Sequence, residues 1–370
     1  MNPSMPDALH CALDGKRLTE DEALSLFDAD LAELGFVADQ VCRRLHPEPH
    51  RTYVVDRNIN YSNVCAADCT FCAFYRKAGD PDAYLLTHEE ILRKVDEAAA
   101  LGATQILMQG GLHPYLPFEW YEDLLRTIKS RYPPPTPLHL HSFSPPEIWH
   151  FHEKFDLPLT EVLGRLRAAG LDSLPGGGAE ILDDEVRKQI IRGKATTEQW
   201  LAVMRAAAAV GLPTTATMMF GHLETHRHRI RHLLHLRDLQ DEIGGNFTAF
   251  IPWAFQPHNT VLGRTVPFAA GATEYLRMVA ISRLTLDNFR NLQGSFTTQG
   301  LKLGQMSLAY GANDLSGTFI EENVVSATGV SFRIQEEELR RAIRDAGFLP
   351  AKRDTYYRIL DSPDLAVTVA

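Results

Sequence analysis

Cys65, Cys69 and Cys72 stand in "NVCAADCTFCAFYR", residues 63–76, so three of the chain's five cysteines share one short stretch with the spacing C-x3-C-x2-C. Thiolates are soft metal ligands, and a short loop with this spacing can turn all three toward one point. Structural zinc needs four ligands closed as a tetrahedron. Residues 60–87 offer no histidine and no further cysteine, which leaves Asp68 as a poor fourth ligand. A redox dithiol needs only C-x-x-C. A cubane 4Fe–4S cluster normally takes four thiolates, and holding one with three leaves an iron free to bind something else. The spacing favours that open-iron cluster, with zinc and chance clustering as alternatives. Cys11 and Cys42 stand alone in helix-like sequence and read as inert structural thiols.

The elements around the cysteines must deliver them to a site. From about Thr52 short β-like runs alternate with helical stretches: "YVVDRNINYSNV", "ATQILMQGG", "PLHLHSFS", "LDSLPGGGAEIL", "PTTATMMFGH", "FTAFIPWAFQP" and "LQGSFTTQ" read as strands. Between them lie helices such as "THEEILRKVDEAAALG", opened by a capping box of Thr87 and Glu90, and "TTEQWLAVMRAAAAVG". Such alternation predicts a parallel sheet covered by helices, and at this length a β/α (TIM-like) barrel is the natural closure, an open doubly wound sheet being the alternative. Residues 1–50 read as an N-terminal helical extension, opened at one helix by Thr19 and Glu22, residues 51–330 as the barrel, and 331–370 as a C-terminal helical and strand tail. In a barrel the loops after the strands share one face. "NVCAADCTFC", "QGGLHP", "PGGGAE", "GHLET" and "QPHNT" follow the first, second, fourth, fifth and sixth strands, so a site is expected there.

The 370 residues are 45% hydrophobic and 23% charged, enough for a large core. A net charge of −10 argues against a broad nucleic-acid surface. No apolar run reaches the roughly 18 residues of a membrane span. The N-terminus lacks the basic start and apolar core of a signal peptide, and a clustered, odd set of cysteines suits a reducing cytoplasm.

C-x3-C-x2-C after the first strand of a β/α barrel resembles the radical S-adenosylmethionine (SAM) superfamily. The resemblance implies a 4Fe–4S cluster on Cys65, Cys69 and Cys72, with SAM chelating the open iron and yielding a 5′-deoxyadenosyl radical that abstracts hydrogen from a substrate. It places Gly110 and Gly111 of "MQGGLHP" at the SAM amino group, Glu180 of "PGGGAE" at its ribose, and Phe71 and Phe74 near its adenine. Tight turning between strand and helix explains the same glycines without a ligand.

"QILMQGGLHP", "SLPGGGAEIL", "TTATMMFGHLET", "GGNFTAFIPWAFQPHNT" and "AYGANDLSGTFIEENV" narrow the resemblance to the group holding the two radical SAM enzymes of the futalosine route to menaquinone and the enzymes that build the deazaflavin FO. "FIPWAFQPHNT" is most similar to the member that cyclises dehypoxanthine futalosine, a ribose-like sugar joined through a keto chain to a benzoate. That chemistry implies a flavodoxin or ferredoxin-type electron donor, a grip on the sugar and benzoate, and a base for one proton. Gln109, His113, Trp253, Gln256 and Asn259 are the candidates for substrate binding, and Glu224, His139 and His141 for catalysis. His139 and His141 are two apart on one strand and share a face; hydrogen-bonded core histidines are the alternative. Glu224 could instead hold its loop, and Trp253 could be wall packing. His222, His226, His228, His232 and His235 read as the solvated face of a helix, with metal binding discounted. A zinc-stapled hydrolase and a non-catalytic iron–sulfur protein are the rival classes.

Overall fold

The computed structural model describes residues 7–133, 138–330 and 333–361. Among the described residues nine strands appear in chain order: β1 His50–Val54, β2 Asp56–Ile59, β3 Gln105–Met108, β4 His139–Ser142, β5 Thr214–Phe220, β6 Phe247–Ala254, β7 Asp314–Gly317, β8 Leu349–Arg353 and β9 Ile359–Asp361. β1 and β2 form one stave broken only at Val55. β2 pairs with β3 and β3 with β4, both parallel. Isolated parallel bridges carry the ring onward, His141 to Ser173 and Leu174 to Thr214. β5 pairs with β6; Phe250 then bridges to Leu292, and Gln293 to Asp314. β7 returns to β1, Thr52 opposite Asp314, and closes a parallel barrel.

Two expected strands, around 173 and 292, are thus reduced to bridge pairs. Glycines and a proline interrupt the first of them, and neither side chains nor ladder can extend through "PGGG". The eighth stave, β7, was not expected from the sequence: "DLSG" is short and polar, and Asp314 is held inside only because Arg353 and Thr52 reach its carboxylate. The helices Pro145–Phe155 and Asp184–Ile190 were also unread, while Asp7–Leu13 falls in the expected N-terminal helical extension. Both expected capping boxes, at Thr19 and Thr87, are formed.

Alternation explains the outer layer. Each covering helix buries an apolar stripe, such as Ile91, Val95 and Ala98 in His88–Ala100, and leaves its charges outside. The N-terminal helices lie on this outer layer rather than under the barrel: Arg17 reaches Asp241 and Asp287, Arg227 reaches Glu20, and Arg277 donates to Ala29 O at 2.7 Å. The base is filled from the other terminus. β8 pairs parallel with β1 on the edge away from β7, below the point where β3 joins the stave. The chain then turns inward and presents Arg353, Thr355 and Tyr357 to the barrel's interior. Residues beyond 361, the end of the expected tail, lie outside the described residues.

Candidate active site

The cysteine loop is held from three sides by backbone. Cys65 N–H donates to Arg76 O (2.9 Å) and Ala66 N–H to Leu112 O (2.8 Å). Asp68 N–H donates to Arg192 O (2.9 Å), Thr70 N–H to Ile190 O (2.9 Å), and Thr70 O accepts from Leu262 N–H (2.8 Å). Lys77 Nζ sits beneath the first turn, against the carbonyl of Ala67 (3.1 Å) and the carboxylate of Asp68 (2.8 Å). Asp68 is thereby spent on Lys77 at the surface and is no fourth ligand.

All three cysteines are free and line one cavity of about 360 Å³. Leu112 N–H points at Cys65 Sγ (3.3 Å). Burial pushes the Cys69 thiol up to about 12, with Lys194 pulling the other way. Burial also raises Cys72, against the N–H groups of Tyr75 and Phe74. Thiols in such a place ionise when a cation replaces their protons, which is how a metal centre binds. Among the described residues, the one trio of His, Cys, Asp or Glu whose ligand atoms all lie within 4.8 Å of one another is Asp183, Glu185 and His228. Three free thiols at one cavity, with Asp68 turned to Lys77, fit a 4Fe–4S cluster that keeps one iron open.

The glycine turns flank the cysteines because side chains would not fit. A Cβ on Gly111 would lie 2.2 Å from Val64 O and 2.9 Å from Cys65 Cβ; one on Gly110 would lie 2.4 Å from the Tyr61 ring. Gly110 N–H donates to Glu147 Oε1 (3.1 Å), which also accepts from Tyr61 OH (2.6 Å), while Ser144 fills Oε2. Burial pushes the Glu147 carboxyl up and these donors hold it back. Across the cavity, a Cβ on Gly176 would strike Thr215 O at 2.4 Å, and one on Gly177 the Gln109 amide at 2.7 Å. Glu180 follows at φ 45, a left-handed conformation uncommon for a side-chain-bearing residue. It is buried, and its Oε1 lies 3.4 Å from Lys194 Nζ.

The cavity therefore gathers Cys65, Cys69, Cys72, Phe71, Phe74, Gly110, Gly111, Glu180, Gln109, His141 and Trp253 from the expected set. Five expected residues lie elsewhere. Glu224 is a loop clamp: its carboxylate accepts from Gly221 N–H (2.6 Å) and His222 N–H (2.9 Å) and pairs with Arg229 (2.7 Å). His113 Nδ1 accepts from Tyr115 and Leu116 N–H groups, turning its own loop. His139 stands one step below the cavity, against Ser173. Gln256 is buried under Ala254 O and Thr298 O, and Asn259, at φ 59, reaches Ala327 O from the surface. The histidine helix is likewise not one solvated face. His232 is fully buried, accepts Leu182 N–H at 2.9 Å, and is pushed down to about 3 by burial; the His222 side chain is buried against Glu224. Half-buried His228, with Asp183 and Glu185, belongs to helix caps.

Sequence reasoning missed Lys194, a cation with only 16% of its side chain exposed, and the floor of Asp56, Arg353, Thr355 and Tyr357. Arg353 pairs with both oxygens of Asp314 and lies 4.1 Å from the Tyr357 ring centre. Burial pushes the Asp56 carboxyl up to about 6, offset by Phe319 N–H and Arg353. The alternation of Arg353, Thr355 and Tyr357 at every second position was the available signal.

Comparison with known proteins agrees with this geometry. The Radical SAM superfamily model matches residues 59–236, from the first stave through the fifth, and a model described as the CofH/MqnC C-terminal region matches residues 244–366. A cyclic dehypoxanthine futalosine synthase of Halalkalibacterium halodurans is 46% identical over 96% of this chain and 95% of its own length. A 5-amino-6-(D-ribitylamino)uracil–L-tyrosine 4-hydroxyphenyl transferase of Methanothermobacter thermautotrophicus is 43% identical over 93% of this chain and 95% of its own. The crystal structure of methylornithine synthase (PylB) superposes with a TM-score of 0.71 at 17% identity, covering 93% of this chain and 97% of that one, and so speaks to the barrel alone. Identity this high, sustained from the N-terminal helices to the strand that floors the cavity, makes the chain a member of the radical SAM superfamily, an enzyme family built on a 4Fe–4S cluster and SAM.

Proposed function

We propose that this enzyme cyclises dehypoxanthine futalosine in the futalosine route to menaquinone. The observation that carries the reading is the near full-length identity to the H. halodurans synthase. Trp253, in the stretch that resembles the cyclising members of the group, supports it by walling the cavity. Cys65, Cys69 and Cys72 would hold the cluster; Gly110, Gly111, Glu180, Phe71 and Phe74 would hold SAM, with Lys194 beside them as a cation. When bound, these groups supply a carbon radical that takes a hydrogen atom from the sugar.

The chain's own task is to hold the sugar and the aromatic ring together and keep water away. Leu107, Ile251 and Trp253 offer apolar wall, while Asn58, Gln109 and Thr215 offer donors and acceptors. A mostly apolar cavity with few placed polar groups suits a substrate that is half sugar and half arene. A one-electron donor of the flavodoxin or ferredoxin type, in the cytoplasm, completes the reading.

The 43% identity to the hydroxyphenyl transferase favours a second reading, in which the cavity takes tyrosine and a ribitylaminouracil. One experiment separates them. After anaerobic reconstitution the enzyme is given SAM, reductant and either substrate set, and products are read by mass spectrometry. 5′-Deoxyadenosine together with a futalosine product two hydrogens lighter, both absent in Cys69→Ala, is the expected result. Turnover with tyrosine and the ribitylaminouracil alone would replace the proposal.

A further inference from the structure

His141 lines the cavity and His139 lies below it on the same face of β4. Ser173, on the neighbouring stave, bridges to His141 in parallel register. Its hydroxyl stands 2.6 Å from His141 Nδ1 and 2.6 Å from His139 Nε2. A serine hydroxyl carries one hydrogen, so it can donate to only one of the two rings and must accept N–H from the other. The three groups therefore form a directed chain rather than three separate contacts. At its far end His139 is 9% exposed and meets the edge of Tyr356, itself 47% exposed, with ring centres 5.3 Å apart.

We propose that His141, Ser173 and His139 form a proton relay that carries a proton between the substrate cavity and the base of the barrel. The inference rests on the cyclisation reading above. Ring closure onto an arene removes two hydrogens from the substrate, one as an atom and one as a proton. When the arene recovers aromaticity, the ring C–H bond breaks, its electron pair stays in the ring, and the proton passes to His141 Nε2. The one surplus electron leaves to an oxidised acceptor of the iron–sulfur class. His141 Nδ1–H then passes its proton to Ser173 Oγ, the serine proton moves to His139 Nε2, and His139 Nδ1–H releases one to solvent water at the base, beside exposed Tyr356. A relay of side chains exports the proton without a water channel into a cavity that must stay dry.

The electrostatic setting agrees with this direction. Burial keeps both imidazoles neutral, His139 down to about 4 and His141 well below its usual value, so both are free to accept. A proton on a carbon about to rearomatise is acidic enough for such weak bases. Around His139 stand Asp172, Lys129, Asp354 and Arg358; Arg353 faces His141. Asp172 is itself held by Lys129 and Leu140 N–H (2.7 Å), and it favours positive charge at the exit end.

Ser173→Ala and His139→Gln cut the chain without altering a cavity-lining side chain. In the reconstituted enzyme, cyclised product per 5′-deoxyadenosine is expected to fall on the order of 100-fold, with substrate affinity and the first turnover of deoxyadenosine unchanged. An unchanged ratio in both variants overturns the relay, and so does a parallel loss of substrate binding and deoxyadenosine, which marks a structural wall. Nitrogen-15 histidine spectra of the cluster-free protein give an independent reading. Ser173→Ala is expected to shift the tautomer signals of both His139 and His141, and unmoved signals overturn the relay. A wild-type enzyme that makes deoxyadenosine but no cyclised product would sink the proposed function instead, and the spectra would still judge the chain.

Discussion

Lys194 and Glu180 face each other across 3.4 Å at the cavity wall, each the other's counter-charge, with Cys69 and Cys72 beside them. Burial pulls the lysine's affinity for its proton down, and the negative charges of Glu180 and of Cys69 as a thiolate push it up. Glu180 is 5% exposed at the side chain and sits on a left-handed backbone, so it cannot swing to water if the cation is lost.

Lys194→Ala therefore leaves a buried carboxylate without its partner. Removing one member of a fully buried pair costs 3–5 kcal/mol; an open cavity beside this one reduces the expected loss to about 2 kcal/mol. Urea unfolding of the cluster-free protein checks it, and Lys194→Arg should recover most of the difference. Full stability in Lys194→Ala would mean that the pair is dispensable.

Gly111→Ala puts a methyl group 2.2 Å from Val64 O. Because the obstacle is backbone, the cysteine loop itself must move. Overpacking of this kind costs about 1–3 kcal/mol, and the cost here falls on Cys65. Lower thermal stability together with loss of iron after reconstitution and gel filtration is the expected pair of results. Gly164→Ala, where nothing lies within 4 Å, serves as the control.

Acid should destabilise the fold from the histidine range downward. Burial depresses His232 to about 3 and His139 to about 4. For a base lowered in this way, the contribution to stability is complete above the unfolded value near 6.5 and is lost as pH falls through it toward the folded one. Each should cost about 2 kcal/mol at pH 5. Urea midpoints measured from pH 7.5 to 5 test this, and His232→Asn should flatten the decline.

Asp56 works in the opposite sense. Its carboxyl is raised to about 6, chiefly by burial, so the folded state holds the proton more tightly than the unfolded chain. Its contribution is greatest below pH 3.8 and declines as pH rises to 6. Asp56→Asn keeps an acceptor for Phe319 N–H (3.0 Å) and should stabilise the cluster-free fold at pH 7 by up to about 3 kcal/mol. Equal stability of the two proteins at pH 7 would show that Arg353 already compensates the charge.

The extent to which the sequence was legible follows from where the information lies. Cys65, Cys69 and Cys72 are close in the chain, and Gly110 and Gly111 immediately follow a strand, so their meeting needed only the alternation of β and α elements. His139 and His141 share a face by strand period, but only Ser173 from the next stave shows that one lines the cavity and the other continues from it. Glu224 resembled an active-site acid by position. The alternative reading, that it holds its loop, is the one the fold shows: the folded turn brings Gly221, His222 and Arg229 to its carboxylate.

The amino-acid order alone determined the cysteine cluster and the barrel, because cysteine spacing and the periods of strand and helix are properties of neighbours in the chain. Tertiary structure decided the cavity's floor and its charges. Asp56, Asp314 and Arg353 come from three distant segments, and Arg353 enters the barrel only because β8 pairs with β1, some 300 residues away. A buried charge is tolerated only where a counter-charge arrives to meet it, and that arrival depends on chain closure, which local pattern does not record.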